Sequence, residues 1–302
     1  MSDALLEALA PTVERLLDRH LATAREWFPH ALVPWTRAAE LRPDEPWSVA
    51  ASPLPGAVRS ALYVNLLTED NLPHYFETIS RTFAHDVWRV WSCRWAAEEM
   101  RHSIVLRDYV TVTAALDPVE LERARMTQVA GAVVPRPPSV PDALVYVALQ
   151  ELATRVAHWN TGRLLGDAAG EAIMRRVAAD ENLHHLFYRD LVTAALEVDP
   201  DSTVAAIERQ VGTFAMPGTG IPGFRRHAAA IAQAGIYDLA SHHDDVLVPV
   251  VLRHWRLEHL TGLSPDADAA RERTLAHIAR TGAAARRAAA RRAERAGTGV
   301  SV

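Results

Sequence analysis

An all-α fold is what this 302-residue sequence predicts, and three observations predict it. Apolar residues recur at three- and four-residue spacing along almost the whole chain. Alternating β-branched runs of strand length are nearly absent. Pro- and Gly-rich stretches separate the periodic segments. In chain order, "ALLEALAPTVERLLDRH" gives a short amphipathic helix near 4–22, followed by a Pro-rich connection through "FPHALVPW" and "RPDEPW". Long helices are expected at about 58–83, 86–115, 141–166 and 169–197, with "AVVPRPPSVPDA" dividing the second from the third. Shorter ones follow near 202–213, then, after "MPGTGIPG", near 223–239, 243–260 and 264–292. The Arg/Ala-biased end "RTGAAARRAAARRAERAGTGVSV" reads as a solvated helix fraying into a disordered tail from about 293, with a carrier-binding tail as the alternative. No connection has the length or composition of a domain linker, so one domain over 1–302 is expected, with its core at about 58–197.

Composition narrows the function. A chain that is 49% hydrophobic and 23% charged can bury a large core. The formal net charge of −5 gives no reason to expect nucleic acid or an anionic membrane as partner. Cys93 is the single cysteine, so there is no disulfide framework and a reducing cytoplasmic location is expected. Nothing resembles a signal peptide, and no apolar run approaches the roughly 20 residues that span a bilayer. All 32 basic side chains are arginine.

The chemistry lies in the core-facing stripes. On the second long helix Trp88, Trp91, Trp95, Glu99, His102, Leu106 and Tyr109 share one face. On the fourth, Met174, Val177, Glu181, His184, Tyr188 and Leu191 do the same. Two Glu-x-x-His pairs therefore point inward, where an uncompensated charge costs several kcal/mol or more. No arginine shares these stripes to neutralise them. The third helix puts Glu151 mid-stripe among Leu144, Val147, Thr154 and His158, and the first puts Glu69 among Leu62, Asn65, Leu72 and Phe76. Glu-x-x-His on two helices plus one Glu from each of two others is the ligand set of di-iron and di-manganese carboxylate bundles of the ferritin-like kind. The predicted metal ligands are Glu69, Glu99, His102, Glu151, Glu181 and His184, whose four carboxylates balance two divalent cations. Carboxylate with imidazole suits two iron ions, with manganese possible, and the lack of thiolates argues against structural zinc. Pro73, four residues after Glu69, predicts a kink beside a ligand. His158, His185, His242 and His243 read as structural or exposed, and the tryptophan stripe reads as packing.

The segments "LLTEDNLPHYF", "AAEEMRHSIVLRDYV", "LQELATRVAHWNTGR", "AADENLHHLFY" and "RHWRLEHLTGLS", in this order, resemble the soluble acyl-ACP desaturases over about residues 60–265, and "EWFPHALVP" resembles a tryptophan-containing segment of that family. The resemblance implies a ferritin-like four-helix-bundle core with flanking helices, usually a homodimer. It also implies a di-iron site that uses O2 and electrons from a ferredoxin-type donor to place a cis double bond in an acyl chain held on acyl carrier protein. Carried over by motif, the ligands are the six already found. The resemblance adds Thr154 of "QELAT" as a residue associated with oxygen activation. It also adds Asp180 and Trp27, either as a route for electrons to the irons or, for Asp180, as a local acceptor that fixes the tautomer of His102 or His184.

Two departures bear on substrate position. The plant-type "EENRHG" reads "EEMRHS" here, placing Met100 and Ser103 where the family has a polar residue and a glycine. The carrier is acidic in general, so arginines are expected at the entrance, with Arg225 and Arg226 or Arg253 and Arg256 as candidates. Oxygen insertion into a carrier-bound substrate, or an iron-binding protein without turnover, would use the same six ligands.

Overall fold

The computed structural model of the protein describes residues 2–38, 46–132 and 134–298, and every regular element among them is helical. Helix α1 (Ser2–Thr23) is followed by the single turn α2 (Pro29–Leu32). Helices α3 (Gly56–Glu69), α4 (Leu72–Thr82), α5 (Asp86–Val112), α6 (Pro118–Gly131), α7 (Val140–Leu164) and α8 (Ala168–Val198) come next. They lead to α9 (Pro200–Thr213), α10 (Phe224–Gln233), the single turn α11 (Leu239–Ser241), a π-helical stretch (His242–His254) and α12 (Pro265–Thr298).

Local chemistry accounts for these boundaries. Asp117, Ser139, Asp167 and Asp199 each cap a helix by accepting from backbone N–H groups one to three residues inside it, and Pro118, Pro141 and Pro200 fill first-turn positions where no N–H is needed. The expected kink at Pro73 is a full break. Lacking an N–H, Pro73 leaves the Glu69 carbonyl without its helical partner, so α3 stops at Glu69 and α4 restarts at Leu72. Helix α6 is absent from the sequence expectation because only Leu121, Ala124 and Gln128 of its face are buried, too faint a stripe among Glu and Arg. Residues 242–254 are π-helical rather than α-helical, a register that accommodates Pro249. Helix α12 continues to Thr298, past the point near 293 where the sequence suggests an unstructured tail, and residues 299–302 lie outside the described ones.

The core divides into two apolar halves. One gathers Trp88, Trp91, Trp95, Leu144, Phe187 and Tyr188 with the buried face of α1. The other gathers Leu62, Leu66, Leu106, Tyr109, Met174 and Val177. On α5 the chain passes from the first half to the second, and on α8 from the second to the first, so the two helices run antiparallel with their Glu and His between the halves. That boundary layer is the candidate site. Close packing supports it: the indole of Trp91 stacks on Phe187 at 3.5 Å between ring centroids. Gly170 lets Tyr109 pass, because a Cβ there would lie 2.5 Å from the phenol oxygen.

One buried charge outside the site anchors the start of α7. Asp142 has a fully buried side chain and accepts two bonds from Arg209, at 3.0 and 2.7 Å, and one from Gln210 at 2.8 Å. Burial works to raise its carboxyl, and the bonds from Arg209, Ser139 and Gln210 outweigh that and hold it below the ordinary range. Arg209→Ala is expected to destabilise the fold by about 2 kcal/mol, below the full cost of breaking a buried pair because the guanidinium is half-exposed. Urea unfolding at pH 7 checks this. A depressed carboxyl contributes stability that is present above its unfolded pKa and lost on acidification, so the difference between variant and parent should shrink as pH falls through the carboxylate range.

Candidate metal centre and cavity

All six predicted ligands meet in the buried layer. Glu69 ends α3, Glu99 and His102 sit mid-α5, Glu151 mid-α7, and Glu181 and His184 mid-α8, each no more than 8% exposed. Their ligand atoms form two groups, each with its atoms within 4.8 Å of one another. The first is Glu69, Glu99, His102 and Glu181, and the second is Glu99, Glu151, Glu181 and His184. Glu99 and Glu181 belong to both, so the arrangement has two shared carboxylates and, at each end, one private carboxylate and one imidazole.

The donor atoms crowd together around an interior point, with His184 Nδ1 2.9 Å from Glu99 Oε1 and His102 Nδ1 3.5 Å from Glu181 Oε1. Among the described residues, Glu99 Oε1, His102 Nδ1, Glu151 Oε2, both Glu181 oxygens and His184 Nδ1 are buried and have no hydrogen-bond partner. Such groups each cost about 1–3 kcal/mol if left unpaired, more when charged. Nothing apolar repays that. A pair of cations would, and carboxylate-imidazole donors suit first-row divalent metals.

Protons and carboxylates balance the layer electrostatically. Burial, then the neighbouring Glu99, drives the Glu69 carboxyl well above the ordinary range, and burial with Glu181 does the same to Glu151. For Glu99 and Glu181, burial also pushes upward, but His102 and His184 outweigh it, and both carboxyls fall below the ordinary range. Burial opposes protonation of His102 and His184. The surrounding carboxylates prevail and raise both well above the usual imidazole value.

Each imidazole is also held from behind by the other helix. Asp180 of α8 lies 3.5 Å from His102 Nε2, while Glu98 of α5 lies 2.9 Å from His184 Nε2. Asp180 thus stands behind His102 and not His184, and accepts from the indole of Trp27 at 2.8 Å, with Arg101 and Arg176 completing its neutralisation. Glu98 is bonded to His20 at 2.9 Å and paired with Arg94. Burial tends to raise the Glu98 carboxyl, but its bonds to His184 and His20 win, and it sits far below the ordinary range. Glu98, His20 and Arg94 are absent from the sequence reading. The signal existed: "EEMRH" and "DENLH" both read acid-acid-x-x-His, so the acid before Glu99 matches the acid before Glu181.

Other residues serve the layer without being ligands. His158 is buried and bonds Glu69 Oε1 at 3.1 Å and Asn65 at 3.3 Å. Trp95 does more than pack, donating from its indole to Glu151 Oε1 at 3.1 Å. Met100 is 55% exposed on the outer face of α5, away from the layer. Ser103 donates to Asp70 at 2.5 Å, fixing the backbone just after Glu69.

Two cavities open from the layer. One runs between α4, α5 and α7 past Tyr75, Ile79, Phe83, Trp95 and Tyr146. The other lies between α3, α7 and α10 past Val64, Ala157, Phe224, Ile231 and Tyr237. Thr68, Glu69, Thr154 and Pro217 line both, so the cavities are two arms flanking the same residues beside the ligand cluster. Thr154 sits at the junction, its hydroxyl accepting from Gln150 at 2.8 Å. Of the entrance candidates, Arg225 and Arg226 lie on α10, which lines the second arm, whereas the π-helix carrying Arg253 contributes to neither.

Comparison with known proteins adds independent findings. The profile of a family described as fatty acid desaturase matches residues 2–301. A Mycobacterium tuberculosis protein carrying the name acyl-[acyl-carrier-protein] desaturase DesA1 is 40% identical over 272 residues, which are 85% of this chain and 80% of that one. Acyl-[acyl-carrier-protein] desaturase 6, chloroplastic, of Oryza sativa subsp. japonica is 36% identical over 74% of this chain and 58% of its own. The crystal structure of the acyl-ACP desaturase DesA2 of M. tuberculosis H37Rv superimposes with a TM-score of 0.69 at 28% identity, covering 88% of this chain and 99% of that one.

Proposed function

Because this chain belongs to the fatty acid desaturase family, we propose that it is an O2-dependent acyl-[acyl-carrier-protein] desaturase whose buried carboxylate-imidazole layer holds two iron ions. The observation that carries the reading is the set of buried ligand atoms without partners beside a two-armed apolar cavity. Glu69 and His102 would hold one ion, Glu151 and His184 the other, and Glu99 and Glu181 both. Manganese fits the same donors. Iron bound there would supply the redox chemistry that breaks unactivated C–H bonds, which no side-chain acid or base can do.

The chain's own residues supply the rest. The apolar arms take up a hydrocarbon and exclude water, and their junction at Glu69 and Thr154 selects which methylene pair lies nearest the metals. Asp180 and Glu98 fix the two imidazoles with Nδ1 toward the ions. The Thr154 hydroxyl, one turn from Glu151, offers a movable proton on the wall of both arms. The run Trp27, Asp180, His102 is a continuous contact from an aromatic ring to a ligand and suits electron entry. Overall, an acyl –CH2–CH2– unit, O2, two electrons and two protons give –CH=CH– and two waters. A ferredoxin-type donor provides the electrons. A homodimer in reducing cytoplasm fits the family and the single cysteine. Among the described residues, no helix is long and apolar enough to cross a membrane.

The test is incubation of the iron-loaded protein with ferredoxin, its reductase, O2 and acyl carrier proteins bearing chains of different length, read by mass spectrometry. Loss of two hydrogens is the expected result. Gain of one oxygen would make the protein an oxygenase, and no change across the panel with metal intact would overturn the reading.

A further inference from the structure

The two imidazoles of the layer are backed by one construction used twice. Behind His102, Asp180 Oδ2 lies 3.5 Å from the ring Nε2 and accepts from the Trp27 indole at 2.8 Å, and the Trp27 ring stacks on His102 at 6.5 Å and 15°. Behind His184, Glu98 Oε2 lies 2.9 Å from the ring Nε2 and 2.9 Å from His20 Nε2, and the His20 ring stacks on His184 at 5.9 Å and 21°. In each case one carboxylate oxygen takes two ring nitrogens, and the outer ring comes from the N-terminal segment. His20, in the last turn of α1, therefore holds behind one end of the layer the place that Trp27 holds behind the other. It is 4% exposed and packs nearly at a right angle to Trp91, with 5.0 Å between ring centroids.

From this pairing we propose that His20 is a positioning residue for one of the two metal ions, the one that Glu151 and His184 would hold, and that α1 is thereby part of that ion's site. The inference rests on the two-ion reading above and adds a residue from outside the ligand-bearing helices. Glu98 faces two imidazoles through Oε2 and Arg94 through Oε1, so it accepts throughout and each Nε2 carries the donated hydrogen. For His184 that leaves Nδ1, the atom turned toward Glu99 and Glu151, to offer its lone pair to a metal. Without the His20 N–H, Oε2 keeps a single ring partner and Glu98 is free to turn toward Arg94 and Arg101. His184 then loses the fixed acceptor that sets its tautomer and ring angle. The other ion should be spared, because its imidazole, His102, has its own backing in Asp180. His20, Glu98 and His184 stand close enough to hold a cation themselves, within 4.8 Å of one another, but the Arg94 guanidinium already neutralises Glu98. Positioning is the better use of the trio.

The experiment titrates metal-free protein with iron(II) under anaerobic conditions, in competition with a chelator, and records Mössbauer spectra of the forms loaded with isotopically enriched iron. His20→Phe keeps an aromatic ring against Trp91 and His184 and removes the N–H, whereas His20→Gln returns a donor at the Nε2 position. His20→Phe is expected to weaken one of the two iron-binding steps by about tenfold to a hundredfold, to leave the other within about threefold and to shift one of the two iron signals, and His20→Gln should recover most of the loss. The background identifies the ion. In Glu151→Ala, which should retain only the ion held with His102, His20→Phe should change nothing, and in Glu69→Ala it should weaken the ion that remains. Equal weakening of both steps, or of neither, overturns the inference, as does a His20→Gln protein as weak as His20→Phe. A third iron ion in the parent that disappears in His20→Phe would make the trio a metal site in its own right and also overturn it. Should His20→Phe not fold by circular dichroism, His20→Asn against His20→Gln asks the same question, because the shorter amide stops short of Glu98. Iron binding is read without substrate, so a parent that binds two ions and does not desaturate loses the desaturase reading alone, while a parent that binds no iron takes down both.

Discussion

Glu181→Ala is expected to strip both metal ions from the protein and to abolish turnover, a loss of about three orders of magnitude or more. The reason is geometric. Glu181 belongs to both ligand groups, and neither of its oxygens has a hydrogen-bond partner, so one substitution opens both coordination shells. A bound metal contributes several kcal/mol of stabilisation to such chemistry, and about 4 kcal/mol corresponds to a thousandfold in rate. Glu151→Ala should differ. It belongs only to the group containing His184, leaving Glu69, Glu99, His102 and Glu181 intact, so it should retain one ion while losing turnover. Metal analysis by mass spectrometry on folded variants distinguishes the two. A Glu181→Ala protein that keeps both ions would show that the shared position is misassigned.

Loading the site at pH 7 is expected to release about four protons for each pair of divalent ions. Glu69 and Glu151 are pushed toward the protonated form by burial and by neighbouring carboxylates. His102 and His184 are raised toward the charged form because the carboxylates around them outweigh burial. Neutrality without metal then calls for two imidazoliums against two carboxylates. Neutrality with metal calls for two divalent ions against four carboxylates and neutral imidazoles. The exchange follows from the need to keep a buried layer uncharged. Groups with raised pKa values hold their protons more firmly as pH falls, so metal affinity should decline on acidification, by about two log units per ion for each pH unit near neutrality. Calorimetric titration in buffers of different ionisation enthalpy counts the protons directly. A count near zero would mean that the six groups are not titrating as one neutral unit.

The sequence by itself determined the fold class and which six side chains converge in the buried layer, and it did so through periodicity. A residue's place on a helix face is fixed by its spacing from apolar neighbours, so Glu99 and His102, or Glu181 and His184, are legible as inward-facing without any coordinates. A disturbance at Pro73 was legible for a similar reason, because the missing N–H is a property of the residue alone, but only as a kink and not as the full break.

What only the tertiary structure decided depends on which helices become neighbours. Glu98 and Asp180 lie just off the ligand stripes, and their roles come from the opposing helix, each backing the imidazole of the other. Arg94, Arg101 and Arg176 reach those outer acids rather than the ligands. The junction of the two cavity arms joins residues from α3, α7 and the loop at Pro217, and the approach of α12 to Asp238 closes across more than fifty positions of sequence. Helical spacing encodes direction around one axis, while contacts between axes are set by packing the whole core. That is why the buried carboxylate-imidazole layer could be read from single helices, while which outer acid backs which imidazole could not.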